Sequence, residues 1–181
     1  PILYESNYYL TVSHNLQSKI QGIAIFIAFI GLIIRYITVS KTPEGTSGRN
    51  RNAQIAEKLN TTGIYSIVRN PLYLGNYLIW ISISIYSLSY ILSVIITLLF
   101  IIYYERIILT EEEFLLKKFK NQYKVFCQKV PVFIPSFENY QKSQQKFNIK
   151  KILKQEYSST MSAVISFIYI DITLHYFAYG F

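Results

Sequence analysis

Residues 72–104 contain no charged side chain, and that one run limits the possible folds more than any other part of the sequence. Its length is about twice the ~20 residues that a membrane-crossing helix needs, so it predicts two spans folded back on each other. Ser87-Leu88-Ser89, near its middle, is the natural turn. Each arm is then only ~15 residues, and tilt, local thinning of the bilayer or polar flanks must supply the difference. Residues 20–39 are long enough to cross once, with Arg35 near one end where its stem can snorkel to the interface. A last apolar stretch covers residues 159–180 and carries Asp171 and His175 four apart on one face. Such a pair is costly in lipid unless it meets other helices, water or its own partner. The expected spans are 20–39, 72–87, 89–104 and 159–180.

Composition agrees: 51% of residues are hydrophobic and only 15% are charged, too few charges for an ordinary soluble domain. The expected fold is one all-α domain over residues 1–181, a multi-span transmembrane bundle with a cytoplasmic cap. Arg35, Lys41, Arg49, Arg51, Lys58 and Arg69 flank one loop, and a second set of cations runs from Arg106 to Lys154. The excess of Lys and Arg near span ends puts segments 40–71 and 105–157 in the cytoplasm. The net charge of +8 then faces anionic headgroups, and nucleic acid is a poor partner because no recognition module accompanies the basic residues. The only methionine is Met161, so the chain is expected to begin downstream of its true start, with a fifth helix in a longer form. Residues 1–18 read as a non-cytoplasmic lead-in without the features of a cleavable signal. Cys127 is the single cysteine; it excludes an internal disulfide, and no Cys and His cluster has metal spacing.

Chemistry concentrates in residues 61–76. Gly63 lets the backbone turn or approach a ligand closely, Tyr65 follows it, and Pro71 suits the first turn of a helix. Arg69 and Asn70 stand just before that helix; Tyr73 and Asn76 share a face, with Gly75 leaving room beside them. The arrangement reads as one wall of a pocket at the membrane surface, although interfacial anchors also use Arg and Tyr. The loop 41–51, with Arg49 and Arg51, suits a phosphate or carboxylate, or is a solvated connector. Residues 52–60 are expected to form a short surface helix. Beyond residue 104 the helical pattern continues through Glu105, Arg106 and Glu111-Glu112-Glu113. Carboxylates so close to a membrane lip call for Arg or a cationic ligand, unless they form a solvated face paired with Lys117 and Lys118. Pro131 and Pro135 end this helix and lay an extended apolar strip back on the protein, and residues 141–156 form a lysine-rich helix or linker on anionic lipid.

Residues 59–75, with Gly63-Ile64-Tyr65 and Arg69-Asn70-Pro71-Leu72-Tyr73-Leu74-Gly75, are followed by Glu111-Glu112, then by 119–123 and 130–135. This ordered set resembles the isoprenylcysteine carboxyl methyltransferase and phospholipid methyltransferase superfamily. The resemblance implies an integral-membrane enzyme that uses S-adenosylmethionine from the cytosol and takes a lipid-attached acceptor sideways from the bilayer. It also implies that Arg69, Asn70, Pro71, Tyr73, Gly75, Glu111 and Glu112 line the cofactor pocket, with Gly63 and Tyr65 beside them. Asn70 stands where the family usually has His, and an amide cannot titrate, which puts an acid–base role there in doubt.

On this reading Glu111 and Glu112 suit the ammonium of the cofactor, Arg69 its carboxylate, and Tyr73 or Trp80 an aromatic surface for adenine or the sulfonium. An anionic acceptor would be held by Arg106, with Arg49 and Arg51 nearby; an amine acceptor would need a base, for which Glu105 is the candidate. The basic 48–51 loop favours the anionic, lipid-linked acceptor. Two other classes fit parts of the pattern. Membrane sterol-type reductases, which use NADPH, share an Arg-x-Pro-x-Tyr-x-Gly run with a Trp five residues later, matched by Gly75 and Trp80; many have Glu where this chain has Asn76. A noncatalytic scaffold would use the same Arg and Glu residues as anchors only. Retained cofactor would separate the three.

Overall fold

The computed structural model describes residues 13–42 and 56–180. The 1–12 lead-in and the 43–55 loop, with Arg49 and Arg51, lie outside the described residues. The described chain is helical, with no strand: α1 His14–Lys41, a 3-10 turn Gly63–Ser66, α2 Pro71–Tyr86, α3 Tyr90–Lys129 and α4 Ile149–Tyr179. Helices α1, α3 and α4 are long and apolar enough to cross a membrane. Helix α2 has 16 residues, ~24 Å at 1.5 Å per residue, against a hydrocarbon core of ~30 Å. It packs against each of the other three helices, so the shortest helix is also the central one.

The hairpin forms where the charge-free run predicts it. Helix α2 ends at Tyr86, Leu88 takes a left-handed φ of 60°, and Ser89 caps α3 by accepting the Leu92 N–H at 3.0 Å. Pro71 opens α2, its missing N–H costing nothing in the first turn. Four features differ from expectation. The described part of the 52–60 stretch, residues 56–60, is irregular rather than helical. Helix α3 carries a break at Lys120 (φ 46°, ψ −118°). Helix α4 starts ten residues before its apolar part, capped by Asn148, which accepts the Lys151 N–H at 3.1 Å. Arg35, finally, does not snorkel: it is 5% exposed and bound to Glu156, because a carboxylate within reach satisfies it better than a distant interface.

Helices α1 and α2 cross on glycine. A Cβ added at Gly75 would lie 2.9 Å from the Gly31 carbonyl oxygen and 2.6 Å from Cγ of Arg35, and one at Gly31 would lie 2.8 Å from the Gly75 carbonyl oxygen. Small residues here let the two backbones approach, the usual way that helices associate in lipid. The contact also leaves a slot through which the Arg35 stem passes.

Beyond the apolar part of α3, a small core of Leu59, Tyr123, Phe126 and Val130 gathers the loop segments. The strip after α3 runs back beside the loop that precedes α2, as its prolines suggest. Arg69 N–H donates to the Pro131 carbonyl at 2.9 Å and Ser136 N–H to the Ile67 carbonyl at 3.0 Å. Gly63, at φ 63°, donates to the Gln141 carbonyl at 2.7 Å, a conformation that glycine adopts without a steric penalty.

Gly75→Ala is expected to destabilise the protein by ~1–3 kcal/mol through overpacking, read as a lower thermal-unfolding midpoint in detergent. Gly22→Ala, where an added Cβ meets nothing within 4 Å, is the matched control and should leave the midpoint unchanged or raised.

Candidate functional site

At the charged end of the bundle lies a cavity of about 700 Å³. The loop before α2 contributes Tyr65, Arg69 and Asn70, the first turns of α2 contribute Pro71 and Tyr73, and α3 contributes Arg106, Glu111 and Glu112. Eight residues singled out from sequence thus share one space. The remaining described ones lie elsewhere. Gly63 holds the loop turn and Gly75 sits in the α1–α2 crossing. Glu105 is exposed and does not line the cavity, because one residue earlier on α3 is a rotation of 100° away from Arg106. Trp80 lines a second cleft, between α2 and α4.

The polar groups in the cavity are ordered by burial. Tyr73 Oη donates to Glu111 Oε1 at 2.7 Å. Burial pushes the Glu111 carboxyl above the usual carboxylate range, and the Tyr73 hydrogen bond only partly offsets it. Desolvation likewise lifts the Tyr65 hydroxyl to about 12, against the pull of its hydrogen bond with Thr42. Arg69 Nη1 donates to Cys127 Sγ at 2.8 Å and lies 3.1 Å from Glu112 Oε1, in ion-pair contact. Among the described residues Arg69 Nε is buried without a hydrogen-bond partner, and Glu112 Oε1 has no partner beyond that ion-pair contact. Asn70 Nδ2 donates to the Val132 carbonyl at 3.2 Å, so the amide that stands in place of His ties the loop to the returning strip.

Asn76, read from sequence as part of the pocket wall, lines the cavity, whereas Arg35, Lys58 and Ser159 line it without having been singled out as site residues. Arg35, Asn76 and Ser159 reach the inner end of the cavity. Arg35 Nε and Nη2 donate to Glu156 Oε2 and Oε1 at 2.7 and 3.0 Å, Nη2 also meets Ser159 Oγ at 3.1 Å, and Nη1 donates to Asn76 Oδ1. Asn76 Nδ2 passes the network on to Tyr104 Oη at 2.8 Å. The usable signals were slight. Glu156 is the lone acid of the 141–156 run, and Asn76 shares a helix face with Tyr73.

The cations outnumber the acids. Arg35 is neutralised by Glu156 and Arg69 is in contact with Glu112. Lys58 and Arg106 also line the cavity and make no ion pair among the described residues. The cavity therefore offers two carboxylates, an orphaned donor at Arg69 Nε, and cationic charge to spare among the described residues. It suits a zwitterionic ligand together with a second, anionic group.

The family model for phospholipid methyltransferases matches residues 19–122, more than half of the chain. No curated protein and no solved structure matches.

Two predictions follow from the geometry. Breaking the buried pair on one side, by Arg35→Met or Glu156→Gln, should cost ~3–5 kcal/mol, whereas the double variant Arg35→Met with Glu156→Leu should recover most of it; thermal unfolding in detergent reads both. The raised Glu111 pKa has a definite sign. Folding favours its protonated form, so that contribution is complete below the ordinary value of 4.5 and is lost as pH rises through the higher folded value. Stability measured across that window should fall with pH less steeply in Glu111→Gln than in the native sequence.

Proposed function

Since the chain belongs to the phospholipid methyltransferase family and is an integral-membrane methyltransferase, we propose that it transfers a methyl group from S-adenosylmethionine to a membrane-embedded, lipid-linked acceptor. The observation that carries the cofactor assignment is the cavity-lining pair Arg69 and Glu112: among the described residues Arg69 Nε is buried without a hydrogen-bond partner, and Glu112 Oε1 has only its ion-pair contact with Arg69 Nη1. Buried polar atoms are costly when unpaired; a ligand carboxylate would satisfy Arg69 Nε, and a ligand ammonium would give Glu112 a further partner. Arg69 would take the carboxylate; Glu112, with Glu111, would take the ammonium; Tyr65 and Tyr73 supply aromatic faces in the same cavity. When bound, the cofactor supplies an electrophilic methyl on a sulfonium.

The rest is the work of the chain's own residues. Methyl transfer is a displacement in which the protein contributes position and exclusion of water. Tyr73 fixes Glu111 by its hydrogen bond, and the returning strip fixes the Arg69 backbone. Arg106 and Lys58 favour an anionic oxygen on the acceptor, which is already nucleophilic and needs only to be held. Arg49 and Arg51, proposed as further acceptor ligands, lie outside the described residues. A phospholipid amine is the second reading. Glu105 does not line the cavity, so Glu111, whose ionised carboxylate is made more basic by burial, is the better-placed group to accept a proton from an amine.

In this proposal α2 completes a fourth span by virtue of its central, protein-covered position. The Lys- and Arg-rich segments and the cavity face the cytoplasm. The whole chain acts as one domain.

Calorimetry with S-adenosylmethionine on detergent-purified protein tests the proposal, with NADPH as the competing ligand. Binding is expected for S-adenosylmethionine alone, and Glu111→Gln with Glu112→Gln should weaken it by about tenfold or more, the loss of one charge-assisted contact. Binding of NADPH alone would replace the assignment with the reductase reading.

A further inference from the structure

Helices α2 and α4 run in the same direction away from the cavity and are pinned together at two levels. Near the cavity, the Arg35 guanidinium holds Asn76 of α2 and Glu156 and Ser159 of α4. Farther along, Tyr86 Oη donates to Asp171 Oδ1 at 2.9 Å and the Tyr86 ring meets Phe167 edge-on with centroids 5.1 Å apart. Between the two clamps the helices stand apart. A cleft of about 220 Å³ opens there, lined by Ile79, Trp80 and Ile83 on α2 and by Ser162, Ala163 and Ser166 on α4.

Three features say what the cleft holds. It shares Asn76 and Ser159 with the 700 Å³ cavity, so the two spaces meet at the Arg35 clamp. From Asn76 to Ile83, and from Ser159 to Ser166, it extends seven residues along both helices, ~10 Å. Its α2 wall is apolar, with Ile79, Trp80 and Ile83, while its α4 wall is mostly serine; there Ser166 Oγ is spent on the Ser162 carbonyl of its own helix at 2.8 Å and Ser159 Oγ accepts from Arg35. Trp80 stands at the side, 42% exposed, braced edge-on against Phe100 and Tyr104.

We propose that the cleft between α2 and α4 is the hydrocarbon arm of the acceptor site. It takes one acyl chain of a glycerophospholipid and holds the headgroup at the Asn76–Ser159 junction, facing the cavity. The clamps set the length of chain that is gripped, and Trp80 is the specificity-determining side wall. The second acyl chain stays in the bilayer. The acceptor role rests on the proposed methyl transfer, whereas the cleft and its acyl chain stand on their own geometry.

The test uses the full chain reconstituted in phosphatidylethanolamine and phosphatidylglycerol vesicles doped with a phospholipid carrying a diazirine in one acyl chain. Photolabelling should concentrate on 79–83 and 158–166. Ser162→Trp, at an exposed position inside the cleft, should abolish that labelling and lower transfer of radiolabelled methyl groups to lipid by about tenfold or more. Affinity for S-adenosylmethionine should stay unchanged. Leu98→Trp on the exposed face of α3 should change none of these. If Ser162→Trp lowers the unfolding midpoint, Ser166→Leu, which fills only the deep end, decides by the same readouts. Labelling spread evenly over α3 and α4, or unaltered labelling and transfer in the filled variants, overturns the inference. Cleft labelling without any S-adenosylmethionine binding sinks the methyl-transfer proposal and the acceptor role while leaving the acyl-chain site standing.

Discussion

A guanidinium within a bundle of apolar helices must be matched, and the matching of Arg35 organises the molecule. Four of its five N–H donors go to Glu156, Asn76 and Ser159, so one side chain of α1 fixes both α2 and α4. Desolvating two charges is costly, and a bidentate pair whose other donors also find partners recovers much of that cost. The Gly31–Gly75 crossing is the steric condition for it, since the Arg35 stem lies where any larger residue at position 75 would be. A close backbone contact and a buried ion pair are therefore a single device.

That device also explains the position of the cavity. Arg35 closes its inner end, while the loop before α2 and the beginning of the charged part of α3 form its walls. The loop is held from outside by the strip that follows α3, through backbone hydrogen bonds at Ile67 and Arg69 and a side-chain bond at Asn70. Residues far apart in sequence thus meet around one space, each held by backbone geometry rather than by the ligand they are proposed to bind.

The sequence announces the helices more clearly than their partners. The α2–α3 hairpin was legible because a charge-free run of double length has one polar break, and the start of α2 because Pro71 marks it. Arg69, Tyr73, Glu111 and Glu112 were legible as a group because charges at a membrane lip require partners. Arg35 was misread as a snorkelling residue, since its partner lies 121 positions away and no local spacing links them. Glu156 was hidden among lysines, and those lysines also concealed the early start of α4. Gly75 was assigned to the pocket by motif; the structure adds a packing role that one sequence cannot distinguish from ligand access.

The separation of Arg35 from Glu156 bears on how the chain is assembled. At ~5–20 residues per second of synthesis, α1 exists for roughly 6–25 s before its counter-ion is made. The glycine crossing can form as soon as α2 follows, but the guanidinium stays uncompensated until α4 arrives. Docking of α4 is thus a late closing step, and a chain stalled before it would display an unmatched cation at a helix crossing, a local mark by which quality control could tell unpaired protein from paired.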